Sequence, residues 1–162
     1  MRHGFLGLTL LMLFVSSAHA EPLAPGMRLP DFRLADQHDV EDSIGAEVRA
    51  VLFTRDMDAG NIVKEALAEK GEETLAAADA VNVSDISGMP RVIAKLFAVP
   101  SMRKRPYRML LDRDGKATAD FPSEKGKVTL IRLEAGQIKG VEYVESANQL
   151  RAKLAPAVDP VQ

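Results

Sequence analysis

Residues 50 to 67 read AVLFTRDMDAGNIVKEAL, and this stretch dictates a short buried strand that turns directly into a helix. Ala50, Val51, Leu52 and Phe53 form an unbroken apolar run, too short for a helix and bounded by charges, which predicts a strand covered on both faces. Past the polar turn, Ile62, Val63, Ala66 and Leu67 recur at three- and four-residue spacing, one buried face of a helix that begins near Asp58 or Ala59. Asp56 and Asp58 stand just ahead as acceptors for the free N–H groups of the first turn and as charges that complement its dipole. Such a junction is where α/β proteins place binding and chemistry, because unpaired N–H groups and the positive dipole end converge there.

Around that junction there is room for one domain: 162 residues, 46% of them hydrophobic, supply a single core. A formal net charge of −2, few aromatic residues and no Trp argue against a nucleic-acid partner. Residues 1–20 read as an export leader, with Arg2 ahead of an apolar Phe5 to Val15 and the small-residue pattern Ala18-His19-Ala20 before Glu21. The apolar run is shorter than the roughly 20 residues of a membrane span. Cleavage before Glu21, with an uncleaved anchor as the alternative, predicts a periplasmic or secreted protein. The chain has no cysteine, so stability in an oxidising compartment rests on packing. Past residue 20 only His38 remains among the histidines, which leaves no His/Cys set for zinc or copper within one subunit, and no cofactor is expected.

The rest of the chain divides into a lead-in, a domain over 31–155 and a flexible tail over 156–162. Residues 21–30, EPLAPGMRLP, are an extended lead-in, since three prolines remove donors and helical angles. Residues 31–40 alternate as a strand entering a turn, and 41–47 are a connector with Ile44 buried. The helix from the junction fades near Lys70-Gly71, glycine serving as its cap, with 72–78 available to continue it. Residues 80–86 restore a period of two and form a strand. Ser87-Gly88-Met89-Pro90 opens a helix whose buried face is Val92, Ile93, Leu96 and Phe97, stopped before Pro100. Met109 to Leu111 is strand-like, Asp112 to Gly115 a turn without the spacing of a calcium loop, and 116–121 a short helix or an irregular passage. Residues 128–133 and 138–144 form a hairpin, and Ser146 caps a closing helix through Leu154. The order predicts a central mixed sheet covered by helices on both faces.

Leu29-Pro30-Asp31-Phe32-Arg33-Leu34 followed by Asp36-Gln37 resembles the opening of the peroxiredoxin-like and TlpA-like branch of the thioredoxin superfamily. The similarity continues in order through the 50–53 strand, the 81–86 strand, the 89–99 helix, YRMLLDRDG at 107–115 and the 128–144 hairpin. The C-terminal third is similar to the YtfJ-like exported proteins of this superfamily. The resemblance implies a thioredoxin-like fold with a C-terminal hairpin and helix. It also implies a reactive cysteine at the strand-to-helix corner, where this chain has Met57-Asp58-Ala59-Gly60-Asn61. The family's cis-proline position falls at Gly126-Lys127, or at Pro106 in an alternative alignment.

Two candidate sites follow. Arg55, Asp56, Asp58 and Asn61, with Lys127, make a ligand corner at the helix N-terminus; a capped turn with solvated charges is the plain alternative. Arg103, Lys104, Arg105 and Arg108 make an anion-binding loop, against a solvated loop. Met57, Met89, Met102 and Met109 read as core gap-fillers. The expected function is binding of a periplasmic protein or peptide by a thioredoxin fold without thiol chemistry. The alternatives are an enzyme using Asp58 with Lys127 or Arg55, and an accessory factor that docks on cysteine-bearing partners.

Overall fold

The computed structural model describes residues 21–155, so the expected leader and the 156–162 tail lie outside the described residues. The chain forms strands β1 (Arg33–Asp36), β2 (Glu41–Ser43) and β3 (Ala50–Thr54), helices α1 (Met57–Ala66) and α2 (Gly71–Ala77), and strand β4 (Ala80–Asp85). A continuous helical stretch follows: α3 (Arg91–Ile93), a π-helical segment (Ala94–Ala98) and α4 (Val99–Met102). Strands β5 (Leu110–Asp112), β6 (Val128–Glu134) and β7 (Gln137–Val144) and helix α5 (Ala147–Leu154) complete it.

One seven-stranded mixed sheet runs in the order β2-β1-β5-β4-β3-β6-β7. At its centre all five residues of β3 are buried. The strand pairs in parallel with β4, Thr54 opposite Ser84, and antiparallel with β6, Leu52 opposite Leu130. An apolar run without alternation is what burial on both faces requires.

Because strand side chains alternate, β3 divides the interior in two. Ala50 and Leu52 point into a cluster with Ala59, Val63, Leu75, Leu150 and Leu154, which brings in α1, α2 and α5. Val51 and Phe53 point the other way, to Leu23, Leu29, Val83, Phe121 and Ile131. Among the described residues no helix contributes to this second cluster. The helical cover expected on both faces therefore lies on one, and irregular chain closes the other. The lead-in is fastened there by the Leu23 N–H to Asp120 O (2.9 Å) and the Ile138 N–H to Met27 O (2.8 Å). Phe121 packs edge-on against Phe53 and Phe32, with ring centroids 5.0 and 5.7 Å away.

The β6–β7 hairpin and α5 form where the sequence predicts them, and Ser146 caps α5 by accepting the Gln149 N–H. Elsewhere the structure corrects the sequence reading. Residues 41–43 are an edge strand against β1, a pairing that three polar side chains do not advertise. Gly71 does not cap α1 but opens α2, where a Cβ would stand 2.6 Å from Tyr107 Cδ1, so glycine is required by close approach. The helix from residue 91 does not stop before Pro100. It runs to Met102, with the proline directly after the π-helical segment, whose wider turn pairs the Val99 N–H with Ala94 O and takes in a residue that has no N–H of its own. Val92, Ile93, Leu96 and Phe97, expected to be buried, are exposed.

Candidate functional site

The carboxyl ends of β3 and β4 and the start of α1 meet at a cavity of about 570 Å³. Its polar part is set by strand register. Thr54 and Ser84 lie opposite each other, and their buried hydroxyls share a hydrogen bond of 2.8 Å. Arg55 and Asp56 follow β3, Asp85 ends β4, and Asn61 of α1, Ser101 of α4 and Arg105 complete the polar lining. Apolar lining comes from Met57, Met89, Met102 and Met109 together with Ile86 and Pro90. Four methionines scattered over more than fifty positions thus face one space. Met109 is 2% exposed and fits the gap-filling expectation, whereas Met57 is 75% exposed and does not.

Asp56 holds the corner together. Its Oδ1 accepts the Ala59 N–H at 2.9 Å as the α1 N-cap, and its Oδ2 accepts the Gly126 N–H at 2.8 Å. Gly126 has φ +76°, a left-handed conformation that favours glycine, and it presents its N–H to the helix start from the loop before β6. Burial pushes the Asp56 carboxyl up, but the N–H groups of Ala59, Gly126 and Asp58 and the charge of Lys125 together hold it below the usual range. The anion that this helix N-terminus favours is therefore one of the chain's own side chains.

Arg55 is equally committed. Its guanidinium donates to Asp85 Oδ2 (3.0 Å), Ser123 Oγ (3.2 Å) and Thr118 O (2.5 Å), and it lies over the Phe53 ring. Asp58, in the first turn of α1, is exposed and makes no side-chain hydrogen bond among the described residues. Neither Asp58 nor Lys127 lines the cavity. Lys127 pairs with Glu124 and Glu145, both at 2.8 Å; these carboxylates raise its pKa, and Lys127 in turn lowers that of Glu145. Of the predicted corner, Arg55, Asp56 and Asn61 come together around the cavity and the other two lie outside it.

The cations of the basic loop take separate partners. Arg103 donates to Gln37 O and Asp39, and Arg108 pairs with Asp36 (3.1 Å) and with Asp42. The β1–β2 hairpin supplies all three carboxylates, some sixty to seventy positions earlier in the chain. Arg105 donates to the Tyr107 hydroxyl at 3.1 Å and reaches the corner cavity, while Lys104 is exposed. Asp112, at the turn that superficially suggests a cation loop, accepts the N–H groups of Gly115 and Thr118 and the Thr118 hydroxyl. No group of three His, Cys, Asp or Glu side chains that could hold a metal is found among the described residues. No peptide bond among them is cis. Thr54, Ser84 and the methionines went unrecognised because register and tertiary packing, rather than spacing, bring them together.

The fold is thioredoxin-like, built by a chain with no cysteine. The comparison with solved structures supports this. The peroxidoxin BcpB of Mycobacterium tuberculosis superimposes with a TM-score of 0.55 at 20% identity, over 82% of this chain and 95% of that one. A thio-disulfide isomerase of Thermus thermophilus gives 0.54 at 17%, over 86% and 100%. A secreted disulfide oxidoreductase of M. tuberculosis, homologous to the DsbE of E. coli, gives 0.52 at 13%, over 76% and 94%. No protein-family model matches the sequence, and no curated protein does. At these identities the likeness is one of fold. Among the described residues no helix is long and apolar enough to cross a membrane.

Proposed function

We propose that this chain is an exported, redox-inactive binding module that takes an extended segment of a partner polypeptide into the corner cavity. The observation that carries the reading is the makeup of that cavity: hydroxyl, amide, arginine and aspartate groups together with four methionines. Thr54, Ser84 and Asn61 offer both donors and acceptors, which suits a peptide backbone. Methionine walls adapt to apolar side chains of different shape, as at surfaces that bind several sequences. Without a thiol the chain forms no mixed disulfide, so the exchange chemistry named in its structural relatives does not pass to it. A place beside such enzymes, holding the polypeptides they act on, accords with the export leader read from the sequence.

The test uses methyl-labelled methionine and a defined probe, the reduced and alkylated insulin B chain. Titration should shift the methyl resonances of Met57, Met89 and Met102 and leave that of Met27, which lies outside the cavity, in place. Thr54→Val combined with Ser84→Ala should weaken the shift about tenfold by removing the hydroxyl pair. Unmoved cavity methyls, or reduction of intact insulin by the protein alone, would overturn the reading.

A further inference from the structure

The helical stretch 91–102 is built inside out. Ala94, Val99 and Met102 turn to the core, while Val92, Ile93, Leu96 and Phe97 are 66, 45, 59 and 65% exposed. Spaced at i, i+1, i+4 and i+5, these four form one continuous stripe on the outer face. Along the segment of chain that carries them the charge is of one sign, although Asp39 and Asp114 border a cavity with Arg91 and Lys95. Residues 87–111 contain Arg91, Lys95, Arg103, Lys104, Arg105 and Arg108 and neither Asp nor Glu, in a chain whose net charge is −2. Arg103 and Arg108 are neutralised by the β1–β2 hairpin. Arg91, Lys95 and Lys104 are exposed and form no salt bridge among the described residues.

A helix whose large apolar side chains stand in solvent between unpaired cations has the makeup of an interfacial helix, which lies in the plane of a membrane surface. We infer that this stretch docks the protein on an anionic lipid surface. Leu96 and Phe97 enter the boundary between headgroups and acyl chains, and Arg91, Lys95 and Lys104 meet lipid phosphates. The charge is complementary to such a surface, and a two-fold pairing of copies through this face would set cations against cations. The stripe exposes on the order of a few hundred Å², short of the roughly 800 Å² per partner of a standard protein interface. The inference is independent of what fills the corner cavity.

Because the chain lacks cysteine, a single Val92→Cys substitution gives a unique attachment point for an environment-sensitive nitrobenzoxadiazole dye. Glu69→Cys, exposed and beside α5, serves as the control. In the full-length protein the dye at 92 should brighten and shift to the blue with vesicles of phosphatidylglycerol and phosphatidylcholine in equal parts, and not with phosphatidylcholine alone. The dye at 69 should respond to neither. The readout is local to the label, so lipid contact elsewhere in the chain leaves it unmoved. Lys95→Ala and Lys104→Ala should each lower vesicle affinity about fivefold. Leu96→Asp with Phe97→Asp should abolish the response while far-ultraviolet circular dichroism stays unchanged. A dye at 92 that is silent with anionic vesicles, or equally bright with neutral ones, would overturn the inference. So would a lipid-free response that grows with protein concentration, which identifies a second copy. A response to poly-glutamate without one to vesicles would identify an acidic polypeptide and also overturn it.

Discussion

Asp56 accepts the Gly126 N–H at 2.8 Å, joining the start of α1 to the loop that leads into β6. The same carboxylate caps the helix through Ala59, so one side chain satisfies two backbone donors from segments far apart in the chain. Asp56→Ala should cost about 2–3 kcal/mol, an N-cap plus a hydrogen bond to a charged acceptor. Asp56→Asn, which still accepts one N–H, should recover about half. Urea denaturation midpoints of the three proteins check this; an alanine variant as stable as the parent would show that the corner is not held here.

Acid sensitivity follows from the same groups. Asp56 is held below the ordinary carboxylate range, and so is Asp36: burial pushes Asp36 up, but the N–H groups of Val40 and His38 and the Arg108 guanidinium pull it further down. A carboxylate with a depressed folded-state pKa stabilises the fold fully above its unfolded value and loses that contribution as pH falls through the folded one. With unfolded values near 3.9, stability should be level above about pH 5 and fall below about pH 4. The curve for Asp56→Ala should lie lower and fall less steeply, because one of the depressed carboxylates is gone. Urea midpoints taken from pH 3 to pH 7 read both the level and the slope.

Local signals made the central part of the fold legible. The unbroken apolar run of β3, the helical spacing of Val63 and Leu67, the paired alternations of β6 and β7 and the Ser146 cap each act over a few residues. The 91–102 helix shows where such signals stop. Its periodicity is real, but a stripe says only which residues share a face, not whether the chain covers it, and here small Ala94 rather than Leu96 is turned inward. The candidate site was legible in its location and not in its membership. Arg103 and Arg108 look like free cations until folding brings Asp36, Asp39 and Asp42 to them, and Lys127 until Glu145 returns along β7.

Arg55 should behave as a clasp for the helix-free face. It ties the end of β3 to Asp85 on β4 and to Thr118 and Ser123 in the passage that carries Phe121 onto Phe53. Arg55→Ala should cost about 1–3 kcal/mol, the range for losing hydrogen bonds to a charged donor. Limited proteolysis should then cut first between 113 and 125. Arg55→Lys should rescue little, because an ammonium on a flexible stem does not reproduce the planar fork that reaches three acceptors. A lysine variant as stable and as protease-resistant as the parent would show that the charge alone matters.

Asn82 is the one buried side chain among the described residues whose polar atoms, Nδ2 and Oδ1, both lack a hydrogen-bond partner. It sits on β4 at 1% exposure, paired in register with Leu52, and faces a cavity of about 140 Å³ bordered by Leu75, Ala80 and Arg108. An unpaired buried amide costs about 1–3 kcal/mol by mutational measures. Asn82→Val keeps a strand-forming side chain, removes both polar atoms and adds little bulk, which the adjoining space accepts. Its urea midpoint should therefore rise by the equivalent of about 1–2 kcal/mol with an unchanged denaturant slope. Asn82→Ala should gain less or nothing, since the desolvation relief is offset by the larger void. If Asn82→Val is destabilised instead, the amide is satisfied by a group entering through that cavity, and the contribution of this position to folding reverses sign.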